Sequence, residues 1–274
     1  MRKIFFLLIF IISASIYPED TPQRIISLGP AITKAVYLLG EKDRLIANTI
    51  YCPRSTQNKN NVEKVGTLID VNIEKIYSLK PDLVLATTLL KPQERKKLEK
   101  LGLKVAVVSE PKNLEELCEN FLKIAELLGK KRKAKKILKE VRKKVNSLTE
   151  KIKNLEKKRV LIQIGGEPLF IANQDSFLND YIEYAGGINI AKDFSSGIAS
   201  REKILQKNPE VIIITGMGLN IQEEKNRWMD FPSLEAVRNK QIYIIKDDDI
   251  TSPTPLGFVK ILEKIIKILH PHLK

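Results

Sequence analysis

Histidine is almost missing from this chain: the only two, His270 and His272, flank Pro271 at the extreme C-terminus. That placement leaves a His-based catalytic dyad or a His-rich metal cage unsupported. Cysteine is equally scarce. Cys52 and Cys118 do not make a disulfide scaffold, and the simpler expectation is two unbridged thiols. Also absent are G-x-G-x-x-G after the first strand, G-x-x-x-x-G-K-[ST] and G-x-S-x-G, the fingerprints of dinucleotide, phosphate-loop and serine-nucleophile sites. The nearest Gly-rich stretch, "QIGGEP" at 163–168, reads as a turn after a strand. "DDD" at 247–249 has the oxygen chemistry for a hard cation, but adjacent acids in a loop point different ways and read as solvated turn residues. These absences predict a protein without catalytic turnover, resident metal or cofactor. The alternative to weigh is an α/β enzyme or cofactor-binding protein on a similar scaffold.

Long apolar runs are missing too, except "IFFLLIFII" at 4–12, too short to span a bilayer comfortably. It follows "MRK" and precedes the small residues "SAS", the order of a secretory signal peptide over residues 1–15 with cleavage after Ser15. No cysteine lies near this cut, so the expectation is an exported, periplasmic protein without a lipid-anchor cysteine.

Acidic charge is deficient, giving a formal net charge of +14, but the surplus is local. Residues 130–159 hold 15 Lys or Arg against 3 Glu, and with Arg2 and Lys3 set aside the remainder is neutral. In the same segment Ala134, Ile137, Leu138, Val141, Val145, Leu148, Ile152 and Leu155 recur at steps of three and four. That is an amphipathic helix with one apolar stripe and a basic face opposite. For an exported protein a solvated face outranks nucleic-acid binding, and attraction to an anionic membrane surface stays open.

What is present is a duplication. "IEKIYSLKPDLVLAT" at 73–87 and "REKILQKNPEVIIIT" at 201–215 align at a shift of 128 residues, matching Glu, Lys, Ile, Pro, an acid and a closing Thr. Each copy reads as a short helix, a proline breaker and an aliphatic strand without alternation, the pattern of a strand buried on both faces. Helix followed by buried strand is half of a βαβ repeat, so two copies imply two parallel sheets covered by helices. The predicted fold is α/β, with an N-terminal lobe over 21–129, a rigid interlobe helix over 130–158 and a C-terminal lobe over 159–274. A helix of about 27 residues would form a rod of about 40 Å.

In parallel α/β sheets ligands sit beyond the carboxyl ends of strands, and a cleft between lobes is the usual pocket. Those ends deliver Gly29 and Pro30, Tyr51, Thr87 and Thr88 in one lobe, and Gly216 and Met217 in the other. Leu68, Phe194 and Trp228 are candidate apolar walls, with ordinary packing as the alternative for the two aromatics. Glu74 and Glu202 open the two duplicated helices behind Asn72 and Ser200 as N-caps, which by itself suits helix-dipole stabilisation.

Several segments carry a family resemblance: "RIISLGPAITKAVYLLGEKDRLIA" (24–47), "VGTLIDVNIEKIYSLKPDLVLAT" (65–87), "SFLNDYIEYAGGINIAKD" (176–193), "SREKILQKNPEVIIITG" (200–216) and "AVRNKQIYIIKDD" (236–248). In this order they resemble the periplasmic substrate-binding proteins of cobalamin- and ferric-siderophore-type ABC importers. The resemblance implies two lobes joined by one long helix, a ligand held between them, and delivery to a membrane permease by a monomer. It implies a corrinoid, haem or ferric-siderophore ligand, with Pro30 and Tyr51 where similar proteins line the cobalamin cleft. Positions 68 and 87, which resemble tryptophan sites of cobalamin binders, are Leu and Thr, and the arginine often beside the C-terminal proline motif is absent from "SPTPLG" (252–257). Haem would draw on Tyr51 as axial ligand. The resemblance also implies that Glu74 and Glu202, one acid per lobe, dock onto permease arginines.

Overall fold

The computed structural model describes residues 21–53, 62–216 and 220–273, so the expected leader (1–15) and Met217 lie outside the described residues. The chain enters β1 (Ile25–Leu28), α1 (Pro30–Leu38), a 3-10 turn and β2 (Leu45–Asn48). It continues through β3 (Glu63–Lys64), α2 (Ile73–Ser78), β4 (Leu83–Thr87), α3 (Pro92–Lys100) and β5 (Val105–Val108). These strands form one sheet in the order β3-β2-β1-β4-β5, parallel at every pairing. After α4 (Leu114–Leu127) comes the long α5 (Lys131–Ile152).

The second lobe contains β6 (Arg159–Gln163), β7 (Leu169–Phe170), α6 (Leu178–Tyr184), β8 (Ile188–Asn189), β9 (Ile198–Ala199) and α7 (Arg201–Lys207). It closes with β10 (Val211–Ile214), α8 (Ile221–Met229), α9 (Glu235–Arg238), β11 (Ile242–Ile244) and α10 (Pro255–Leu269). Its main sheet runs β11-β10-β6-β8, all parallel, beside an antiparallel β7-β9 pair.

The absence of alternation in the strands has a direct cause. In β1, Ile25 faces one cluster and Ile26 another; Leu83 and Leu85 of β4 are likewise divided from Val84 and Ala86. In the second lobe Val211 and Ile213 of β10 are divided from Ile212 and Ile214. Both faces of each sheet are covered, so apolar residues occupy successive positions of the strands, with buried polar Ser27 and Gln163 among the exceptions. The inward cluster is continuous between the lobes. It joins Leu85 of the first sheet to Phe121, Val141 and Val145 of α4 and α5, then to Ile162 and Phe258 of the second lobe. A shared aliphatic core, packed at interior density, joins the lobes rigidly.

The duplicated units match in detail. Asn72 Oδ1 accepts from Lys75 N at 2.8 Å, and Ser200 Oγ accepts from Lys203 N at 3.4 Å, so both helices are capped alike. Both then turn through a left-handed residue before proline, Lys80 at φ 47° and Asn208 at φ 44°. Proline bars the right-handed helical region to its predecessor, and the chain reverses there into the strand.

The long helix is shorter than its apolar periodicity suggests. α5 ends at Ile152 after 22 residues, a rod of about 33 Å. Asn154, a residue that favours turns over helix interiors, follows within a turn. Both cysteines are buried and unbridged. Burial, with Glu115 adding, pushes the Cys118 thiol up to about 11. Among the described residues no helix is long and apolar enough to cross a membrane.

Candidate functional site

A cavity of about 210 Å³ opens where the carboxyl ends of β1, β4 and β5 meet the second lobe. Pro30 and Ile32 at the start of α1, Leu68, Thr87, and Val108 to Pro111 after β5 line one side. Leu117, Phe121 and Ile124 of α4 form its back, and Thr251 to Pro255 reach it from the second lobe. Close backbone packing shapes the entrance. A Cβ on Gly29 would lie 3.0 Å from Thr87 Cγ2, so a larger residue there would have to displace the Thr87 side chain that lines the cavity.

The segment from the second lobe is held from several directions. Thr254 Oγ1 caps α10 by accepting from Gly257 N at 3.1 Å, with Pro255 at the first turn. Tyr181 donates its hydroxyl to Asp249 O at 3.2 Å. Lys34 of α1 donates to Asp249 Oδ1 at 2.9 Å and to Ser252 O at 3.2 Å, tying the lobes together beside the cavity. Lys260 bridges Asp247 and Asp249, at 2.9 Å to each, and Lys264 also pairs with Asp247. Burial opposes ionisation of Asp247, but hydrogen bonds from Lys264 and Lys260 outweigh it and hold the carboxyl well below its ordinary range. Asp249 is lowered too, against burial, by Lys34 and Lys260. The acid run is thus a lysine-paired brace, a role its loop position did not reveal. No cluster suited to a metal ion occurs among the described residues.

Glu110 is the only ionisable side chain among the described residues lining the cavity. Its concave surroundings raise its pKa, while a hydrogen bond with Thr87 acts the other way. Asn120, Ser109 and Thr254 supply further polar groups to a lining that is otherwise mostly apolar. The arrangement has hydrogen-bonding capacity, one acid and no cation.

Three of the sequence candidates, Pro30, Leu68 and Thr87, come together in this lining. Tyr51 stands outside it, half exposed on the loop after β2, where Ile50 N is bonded to Gly66 O at 3.0 Å, two residues before Leu68. Thr88 is exposed, and neither it nor Gly216 lines the cavity. Two aromatic candidates require correction. Trp228 is fully buried: its Nε1 donates to Gln163 Oε1 at 2.6 Å, and Arg201 lies over its ring at 4.5 Å. Phe194 packs against the core of the second lobe, with Lys207 over its ring at 5.8 Å. Both rings found the nearer apolar surface of their own lobe. Glu110 was missed although the strand-end rule reaches it, since β5 ends at Val108. Asn120 and Phe121 left no signal, because the helix stripe that packs the core is continuous with the one that lines the cavity.

Glu74 and Glu202 are exposed in the first turns of α2 and α7 and form no ion pair among the described residues. The start of α2 is bonded to the end of the first sheet through Asn72 N and Val65 O at 2.9 Å. At the start of α7, Arg201 pairs with Glu224 at 2.6 Å, and the same Glu224 oxygen accepts from Gln163 at the end of β6, also at 2.6 Å. Both acids therefore stand at the carboxyl edge of their sheets. The Glu202 carboxyl is lowered by its own backbone N–H and by Ser200.

The family described as "Periplasmic binding protein" matches residues 25–248. The chain is 28% identical over 262 residues to the ABC transporter substrate-binding lipoprotein YvrC of Bacillus subtilis, covering 92% of this chain and 82% of that one. It is 28% identical over 224 residues to the vitamin B12-binding protein of Yersinia pseudotuberculosis, covering 81% and 79%. The crystal structure of the periplasmic vitamin B12 binding protein BtuF of Vibrio cholerae superposes with a TM-score of 0.76 at 27% identity, over 92% of this chain and 98% of that one. Fold, duplicated units, interlobe cavity and relatives agree, and the chain belongs to the periplasmic binding protein family, as an extracytoplasmic substrate-binding component of ABC transport.

Proposed function

We propose that the protein captures a corrinoid of the vitamin B12 type in the interlobe cavity and delivers it to a membrane permease. The observation that carries this reading is the lining: apolar walls, several amide and hydroxyl groups, one acid and no cation among the described residues. A corrinoid presents apolar faces and a rim of amides, which such a lining matches, amide N–H groups donating to the one acid. Dianionic haem and tri-anionic ferric catecholates would bring charge that nothing in the described lining neutralises. Tyr51, the residue suited to a haem axial bond, lies outside the lining.

The enclosed volume is small, so a macrocycle fills it only in part and leans on the exposed apolar rim of Ile50, Tyr51, Ile69 and Leu89. Pro30, Leu68 and Thr87 hold the buried part, and Glu110 and Asn120 accept and donate to the amide rim. Glu74 and Glu202 dock onto basic residues of the permease. The protein acts as a monomer and performs no catalytic turnover. The vitamin B12-binding relatives support the ligand class, and the shared core supports a rigid, nonhinged capture device.

Equilibrium dialysis against cyanocobalamin, haem and a ferric tris-catecholate, read by visible absorbance, tests the reading. Cyanocobalamin should be retained most tightly. Preferential retention of haem or the catecholate would overturn the ligand assignment, and turnover of any of them would overturn the binding role.

A further inference from the structure

The long helix has a face that the capture function does not use. Its buried residues, Ala134, Leu138, Val141, Val145 and Ile152, pack inward against α4 and α10. On the outward face Arg132, Lys136, Lys139 and Lys143 follow one another at steps of four, three and four, with Lys135 alongside, all exposed. That spacing places them in one line along the helix, over about 17 Å. None of the five makes an ion pair among the described residues. Elsewhere the same chain pairs helical cations with acids one turn away, as in Arg95–Glu99 and Arg227–Glu223. On α5 only Glu140 and Glu150 interrupt the bases, and Lys136–Glu140 is not formed. Like charges one turn apart weaken a helix, so this row opposes the stability of the element that carries it. The apolar stripe alone would suffice to join the lobes.

We propose that the outward face of α5 is a docking surface for anionic phospholipid, holding the protein against a membrane with its cleft turned away from it. The orientation follows from the packing. Leu117, Phe121 and Ile124 of α4 line the cavity, and α4 packs on the inner side of α5, so the basic row lies on the opposite side of the molecule. A row of ammonium and guanidinium groups complements a sheet of lipid phosphates, and at about 0.1 M salt the attraction reaches about 10 Å. Extracytoplasmic location makes a lipid surface the polyanion at hand, in place of nucleic acid. A protein resting this way keeps its cavity open to the surrounding solution, and its range of search for a permease is reduced from a volume to a surface.

The test is sedimentation of the full chain with vesicles of phosphatidylcholine alone or with added phosphatidylglycerol. Binding should appear on the anionic vesicles, weaken at about 1 M salt, where screening shortens the reach to about 3 Å, and be near background on phosphatidylcholine. Insertion of the apolar N-terminal run would persist at about 1 M salt and in the Glu variant below, and is thereby separated. The variant carrying K135E, K136E, K139E and K143E should lose at least about tenfold in affinity for anionic vesicles, with thermal melting showing that it stays folded. A matching set of Lys→Gln changes should give an intermediate loss. Equal binding to both vesicle types, insensitivity to salt, or an unaltered affinity of the folded Glu variant would each overturn the proposal.

Discussion

Lys34 Nζ lies 2.9 Å from Asp249 Oδ1, joining the first helix of one lobe to the brace of the other beside the cavity. The pair is mostly shielded from water, with side chains 17% and 19% exposed. Lys34→Ala should cost about 1.5–3 kcal/mol, as for a lost hydrogen bond to a charged group, and lower the melting temperature by roughly 3–10 °C. Asp249 retains Lys260, which prevents a larger loss. Calorimetric melting checks this. The folded-state pKa of Asp247 and Asp249 is depressed below 3.8, so their contribution to stability is present above that pH and is lost as pH falls through the depressed values. Lys34→Ala should therefore flatten the acid limb of the stability curve.

Glu110→Gln should weaken cyanocobalamin binding about tenfold, near 1.4 kcal/mol, by removing a charged acceptor. Because its surroundings raise the Glu110 pKa, the carboxylate protonates at a higher pH than an ordinary glutamate. Affinity in the native protein should fall as the pH drops toward that raised value, and the Gln variant should lack this dependence. Titrations by visible absorbance across the acid range would show both.

On the proposed rim contact, Tyr51→Ala should also reduce affinity by about tenfold, because a tyrosine ring offers an apolar face and its hydroxyl a polar edge. The ring is half exposed, so melting should hardly change. An unchanged isotherm would remove Tyr51 from the rim contacts.

Trp228→Phe separates packing from capture. The indole N–H to Gln163 is lost in a fully buried site, leaving Gln163 Oε1 without that donor. Destabilisation of about 1–3 kcal/mol follows, with ligand affinity unchanged because the ring lies away from the cavity lining. Paired melting and dialysis experiments decide it. For the same reason quenching of this tryptophan would not report ligand contact.

Changing Glu74 and Glu202 together to Lys should leave solution binding of ligand intact and abolish delivery to the permease in vesicles. Like charges across a specific interface cost several kcal/mol, whereas loss of a helix-dipole interaction costs only about 0.3–1 kcal/mol per site. Normal transport by this variant would leave only the helix-terminal role. Lost ligand binding would place the acids in the cleft.

The duplicated helix–strand units were legible because their determinants are local: a capping Asn72 or Ser200, a proline that breaks the helix, and a run of aliphatics. The two parallel sheets followed from aliphatic runs without alternation at 83–86 and 211–214, which covered faces demand. The long helix was legible from its stripe, but its end was not, since apolar Leu155 continues the period beyond the last helical residue, Ile152. That Pro30 and Thr87 line the cavity was legible because strand ends are countable along the chain. Tertiary structure alone decided where Trp228 turned, because an aromatic on a short helix such as α8 fits a core or a cleft equally well until Gln163 is placed beside it. It also decided that residues 251–255 complete the cavity, and that the acids at 247 and 249 belong to lysines on α1 and α10. Lys34 lies 215 residues from Asp249, and only packing of the two lobes around α5 brings these two together, whereas Lys260 and Lys264 reach the acids from the neighbouring α10.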